Sequence, residues 1–114
     1  MKISKELLKG STTTLILSLL HAKPMYGYEI IKELESKSDG IFSLKEGTIY
    51  PILHTLEEKG LIVSYWGEGT GKRKRKYYKL NDSGREFIQE KKEEWSVFKN
   101  AVDEVLNGEK IIWE

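Results

Sequence analysis

Six of the ten residues in GKRKRKYYKL, Gly71 to Leu80, are positively charged and none is negative. This is the densest chemistry in the chain, and it is the chemistry of holding an anion. Covalent chemistry is poorly provided for, because an active site needs a nucleophile or base, an orienting partner and a charge-stabilising group in mutual reach. His21 and His54 are the only histidines, and neither lies in a His-Glu-x-x-His arrangement. GEGTGK, Gly67 to Lys72, lacks the downstream helix of a phosphate-cradling loop. The absence of cysteine excludes disulfides, thiolate nucleophiles and sulfur-ligated zinc or iron–sulfur sites. No enzyme, metal site or cofactor is therefore expected. His54 reads as a polar surface residue rather than a ligand, and Glu57 and Glu58 as a solvated face.

The basic run matters because the rest of the chain opposes it. Of 19 Lys and Arg residues, Lys72, Arg73, Lys74, Arg75, Lys76 and Lys79 lie in the run, leaving 13 positive against 18 negative elsewhere. A net charge of +1 thus divides into +6 and −5. Such segregation suits a local anionic partner, although a lysine-rich run also serves as a plain solubility feature. The length of 114 residues and a 32% charged, 39% hydrophobic composition fit one domain with an appendage. The first apolar segment, LILSLL (Leu15 to Leu20), is too short to span a bilayer and lacks a following cleavage site. A cytoplasmic location is expected.

Hydrophobic spacing supplies the elements that would position the basic run. Leu7, Leu8, Leu15, Ile16, Leu19 and Leu20 predict a first helix from about Ser4 to His21. Tyr28, Ile30, Ile31 and Leu34 predict a second, about Tyr26 to Ser38, after Pro24. Ser43-Leu44-Lys45-Glu46 has the form of a capping box and predicts the start of a third helix, which Gly60 stops. Its buried stripe is Ile49, Ile52, Leu53 and Leu56, leaving Thr48, Tyr50, Pro51, His54, Thr55 and Glu58 outside. Pro51 cannot donate to Gly47, so either the glycine lets the first turn bend or the regular helix begins nearer Thr48. LIVSYW and RKYYKL then read as strands around GEGTGK, a two-stranded wing. Asn81 caps a last long helix that ends at Asn107-Gly108.

This order is that of a winged helix-turn-helix: mainly α with a small β-hairpin, extended by a long C-terminal helix. In such modules the third helix enters the major groove and the wing lies along the adjacent backbone. Lys72, Arg73, Lys74 and Arg75 would neutralise phosphates, with strand alternation aiming only some of them at one partner. Thr48 and Tyr50 could donate to phosphate, while His54 and Thr55 could approach base edges. Tyr50 has an alternative place, packed between the second and third helices. With no arginine on the outer face of the third helix, specificity is expected from DNA shape or thymine methyl contacts. Double-stranded DNA is the expected partner. A winged helix used only for protein association, its wing docking an acidic partner, is the alternative.

Ile88, Trp95, Phe98, Val102 and Val105 occupy a/d positions of a heptad, with Lys91 the polar exception. Three helices and a wing leave so long a stripe uncovered, unless it folds back within one chain. Homodimerisation is expected through these residues with Leu7 of the first helix. The resulting division is a DNA-binding domain at 1–81, a dimerisation helix at 82–108 and a tail at 109–114. Trp66 is expected to pack in the core or at the wing base. Trp113 could dock on a partner subunit or lie in a disordered tail. Trp95 on the seam could fill the interface or flank a cavity for a planar apolar ligand.

The segments LILSLL…PMYGYEIIKELE, EGTIYPILHTLEEKGLIVSYW and RKYYKLNDSGRE resemble the PadR family of bacterial transcriptional regulators over Leu15 to Glu86. The single helix after NDSGRE is similar to the short subfamily that includes multidrug-binding repressors. The resemblance implies a homodimeric repressor on a palindromic operator, released by a small molecule. It implies DNA contacts for Tyr26, Tyr28, Thr48, Tyr50, Arg73, Lys74 and Arg75. Glu93-Glu94-Trp95-Ser96 matches the E-x-W-S site where paired tryptophans sandwich flat aromatic compounds, so the resemblance implies effector contact for Trp95. Leu8, Leu15 and Phe98 are its expected apolar neighbours, and a cationic planar effector would suit the ring. Phenolic acids fit less well, because the phenolic-acid-sensing branch uses a larger C-terminal domain.

Overall fold

The computed structural model describes residues 2–69, 71 and 73–108. In chain order these form α1 (Lys5–Lys9), α2 (Thr12–Ala22), β1 (Met25–Tyr26), α3 (Gly27–Lys37), α4 (Glu46–Glu58), β2 (Ile62–Glu68), β3 (Lys74–Leu80) and α5 (Asp82–Asn107). The core draws Ile16, Leu17, Leu19 and Leu20 from α2, Ile30 and Leu34 from α3, and Ile49, Leu53 and Leu56 from α4. Met25, Ile62, Tyr78, Leu80 and Ile88 close it from the sheet and from α5. The helical stripes follow from residues three and four apart sharing one face, so α2, α3 and α4 turn their apolar sides inward. None of the described helices is long and apolar enough to cross a membrane.

The helix expected from Ser4 to His21 is broken into α1 and α2 at Gly10 and Ser11. Glycine followed by serine and three threonines is a weak helical sequence. The Thr12 hydroxyl also donates to the Leu8 carbonyl at 3.4 Å, competing with the backbone ladder. α1 buries none of its residues and projects Leu7 into solvent.

The capping box predicted at Ser43 does not form. α4 starts at Glu46 behind Lys45, without a side-chain cap, and the Ser43 hydroxyl donates to Glu35 Oε2 at 3.3 Å. The motif fails in register: Glu46 is the first helical residue, whereas the box needs it at the third. Pro51 lies inside the helix and its missing donor falls opposite Gly47, a residue with no Cβ to crowd. The stop at Gly60 forms as expected, with φ of +74°. Gly60 N–H donates to the Glu57 carbonyl and Leu61 N–H to the Leu56 carbonyl, closing the C-terminal turn.

β1 has no counterpart in the sequence reading. Two residues are too few for an alternation signal, and the strand exists only through its pairing, Met25 with Tyr78 and Tyr26 with Tyr77. The antiparallel sheet therefore runs β1-β3-β2. β2 and β3 pair from Ile62–Leu80 at the core to Glu68–Lys74 near the wing tip.

Asn81 ties the wing to α5. Its side chain accepts the Gly84 N–H at 2.8 Å and donates to the Gly60 carbonyl at 2.7 Å, while its backbone N–H donates to the Leu61 carbonyl. Gly84 passes so close to Leu61 that a Cβ there would collide with the Leu61 carbonyl oxygen. From this junction α5 runs out of the body, giving the chain extents of 64 × 33 × 20 Å. Only Gly84 and Ile88 of α5 are buried.

Candidate nucleic-acid interface

The outer face of α4 is assembled as its periodicity requires. Thr48, Tyr50, Pro51, His54, Thr55 and Glu58 are all exposed, above the buried Ile49, Leu53 and Leu56. His54 Nε2 lies 3.4 Å from Glu58 Oε2, a helical i,i+4 pair. The Thr55 hydroxyl donates to the Pro51 carbonyl at 3.0 Å, so its methyl is left as the outward group.

Tyr50 combines the two places open to it. One edge of its ring lies against Gly27 at the start of α3, where an added Cβ would sit 2.6 Å from the phenolic oxygen, yet 42% of the residue remains exposed. Partial burial, with Glu46 adding to it, raises the Tyr50 pKa above the usual tyrosine value. The phenol is thus a neutral donor at physiological pH. Tyr78 is raised likewise, by burial first and then by Glu57 and Tyr50.

The wing separates the basic run onto two faces, because successive strand residues point to opposite sides. Met25, Ser64 and Tyr78 lie toward the helices, and Ser64 donates to Glu57 of α4 at 2.7 Å. By alternation Trp66, Lys76, Glu68 and Lys74 continue this helix-side row toward the tip. The outer row contains Tyr26, Tyr65, Tyr77, Arg75 and Lys79. There Tyr77 stacks on Tyr65 at 5.7 Å and meets Tyr26 edge-on at 5.5 Å. The Arg75 guanidinium rests 4.3 Å from the Tyr26 ring centroid, and Lys79 Nζ lies 5.7 Å from that of Tyr65. Arg73 is exposed; Lys72 lies outside the described residues. Tyr28 is half exposed on α3, with Lys32 Nζ 5.4 Å from its ring.

Trp66 corrects the sequence reading: it is 67% exposed rather than packed in the core or wing base. The strands extend past the helices that cover Ser64 and Tyr78, so helix-side residues farther out meet solvent. Alternation pointed to its face, but not to where the covering helices end.

The residues expected to hold an effector come together. Leu8, Leu15, Trp95 and Phe98 line one open cleft of about 970 Å³, with Leu7 on its rim and Lys91 and Glu94 among its few charged groups. Trp95 and Phe98 are 5.9 Å apart, their rings tilted by 40°. Sequence reasoning missed Ile41 and Phe42, which reach this cleft from the loop after α3. No local pattern links them to α5.

Of the residues assigned to the dimer seam, Leu7, Trp95, Phe98, Val102 and Val105 are exposed. Ile88 is corrected: it is wholly buried in the protomer's own core. The heptad continues along α5 past Lys91, but its first position already belongs to the core. Leu106 falls on the same stripe and is also exposed. The tail 109–114, including Trp113, lies outside the described residues. Among those described, no group of three or more His, Asp or Glu side chains gathers to hold a metal.

Residues 16–90 match the model of the transcriptional regulator PadR-like family. A protein of Lysinibacillus sphaericus called uncharacterized protein X is 32% identical over 93% of this chain and 97% of its own length. The transcriptional regulator YqjI of Escherichia coli is 31% identical over 82% of this chain, which spans 43% of that longer protein. Among solved structures, a PadR-like transcriptional regulator of Bacillus cereus superposes with a TM-score of 0.82 at 31% identity, covering 92% of this chain and all of the other. A transcriptional regulator of Clostridium thermocellum does so with 0.79 at 38% identity, covering 90% and 96%. On these matches the chain belongs to the PadR-like family of DNA-binding transcriptional regulators, which are not enzymes.

Proposed function

We propose that the chain is a homodimeric repressor whose two α4 helices and wings bind a palindromic operator, and whose release is triggered by a planar aromatic effector. The observation that carries this reading is the uncovered stripe of α5. Trp95, Phe98, Val102, Val105 and Leu106 stand in solvent on a helix that leaves the protomer body. Each such side chain is worth about 1.5–3 kcal/mol when fully buried, so a second copy laid along the stripe gains what the monomer forgoes. The cleft between α1 and α5 opens on the same surface, which favours an effector held where the two subunits meet. An effector there would bias the angle between the subunits and hence the spacing of the two α4 helices. Tyr26, Tyr28, Thr48, Tyr50, His54, Lys72, Arg73, Lys74 and Arg75 remain the proposed DNA contacts.

Two measurements test this. Sedimentation should give twice the 13.2 kDa protomer mass. In mobility shifts on the DNA upstream of its own coding region, a planar cationic dye should release the complex and quench Trp95 emission. A monomer would remove the dimeric reading. Dye binding that leaves the DNA complex intact would remove the effector.

A further inference from the structure

We infer that Trp66 and Lys76, paired across the wing on its helix side, form a contact to the DNA backbone that is separate from the arginines of the run. The inference rests on the DNA-binding reading and adds the helix-side face of the wing to the contacts proposed above. Trp66 stands directly opposite Lys76 in the β2–β3 register. The pair is one step beyond Ser64–Tyr78, roughly 7 Å farther along the strands. That inner pair is anchored to α4 through the Ser64 hydroxyl, which donates to Glu57. Lys76 Nζ lies 5.7 Å from the Tyr78 ring centroid, on the same side. A continuous row therefore runs from the Glu57 side of α4 out along the wing.

Chemistry along the row favours a phosphate-bearing partner. Lys74 and Lys76 flank the indole across the ladder, with Glu68 the single opposing charge at the outermost pair. On the outer face the tyrosines pack on one another and Arg75 sits on Tyr26. Trp66, by contrast, is 67% exposed and has neither a ring partner nor a hydrogen bond for its indole N–H among the described residues. An amphipathic ring with a free donor, beside ammonium groups, suits the sugar–phosphate wall of a groove: the ring packs on deoxyribose, the N–H donates to a phosphate oxygen, and Lys76 neutralises the neighbouring phosphate. Such a contact is independent of sequence.

The test uses the full chain and a mixed-sequence duplex of about 30 base pairs, long enough for two half-sites, titrated across salt. Trp66→Ala should weaken binding roughly tenfold with little change in salt dependence. Lys76→Ala should lower the salt slope by about one per wing, whereas Lys79→Ala, which removes the same charge from the outer face, should not. In a chain with Trp95 and Trp113 replaced by Phe, the duplex should quench the remaining Trp66 emission. Unchanged affinity of Trp66→Ala overturns the inference, as does an equal slope change for Lys76→Ala and Lys79→Ala. A change in oligomeric mass on Trp66→Ala overturns it too, by making the indole a subunit contact. Failure of the unmutated chain to bind any duplex at low salt would instead remove the DNA-binding reading beneath it.

Discussion

Tyr50 links α4 to the start of α3 because Gly27 leaves room for its ring. Gly27→Ala would place a methyl group inside that ring's present volume. The phenol, already partly exposed, can swing outward, so stability should fall by no more than about 1 kcal/mol while DNA affinity drops severalfold. Tyr50→Ala should then add little in the Gly27→Ala background, which a double-mutant cycle in mobility shifts would check. Asn81→Ala is the opposite kind of change. It removes the helix cap and the bond to Gly60 together, and should cost about 1–2 kcal/mol in urea unfolding. Asn81 and Gly60 were legible because caps and stops are local. Ser43 misled because its motif was intact but out of register with the helix, and helix phase is set by packing on α3.

At the scale of elements, the junction of wing and α5 is the least forgiving part of the fold. Gly84→Ala would drive a Cβ into the Leu61 carbonyl, and backbone cannot rotate away as a side chain can. The expected cost is about 2–4 kcal/mol, visible as a lowered urea midpoint at unchanged slope. The wing itself shows what a charge pattern omits. Five consecutive basic residues from Lys72 to Lys76 look equivalent in one dimension, but β3 assigns Lys74 and Lys76 to one face and Arg75 to the other. Arg75 joins the tyrosine row while Lys74 and Lys76 share the helix side with Trp66.

For the whole molecule, the thermal midpoint should rise with protein concentration, because association and folding are linked when a bare apolar stripe is covered only by a second copy. Phe98→Glu should abolish that dependence and leave a monomer. Its DNA binding should weaken by far more than the wing substitutions, since one half-site then binds without the other. Far-ultraviolet circular dichroism at high concentration would show whether the winged domain of the variant stays folded. α5 contributes to its core only through Gly84, Phe87 and Ile88, all well before Phe98, so it is expected to do so.

Taken alone, the sequence determined the order of the elements from α3 to α5, the inward stripes of α2, α3 and α4, the caps at Asn81 and Gly60, and the concentration of charge in the wing. These features rest on spacing, propensity and hydrogen bonds within a few residues, which are written in the chain itself. Tertiary structure alone decided that Met25 and Tyr26 form a strand, that Tyr50 rests on Gly27, that Ile88 belongs to the core and that Trp66 faces solvent. Each depends on residues distant along the chain. A two-residue strand has no identity until β3 lies beside it, and an apolar side chain is buried or bare according to where the neighbouring elements stop.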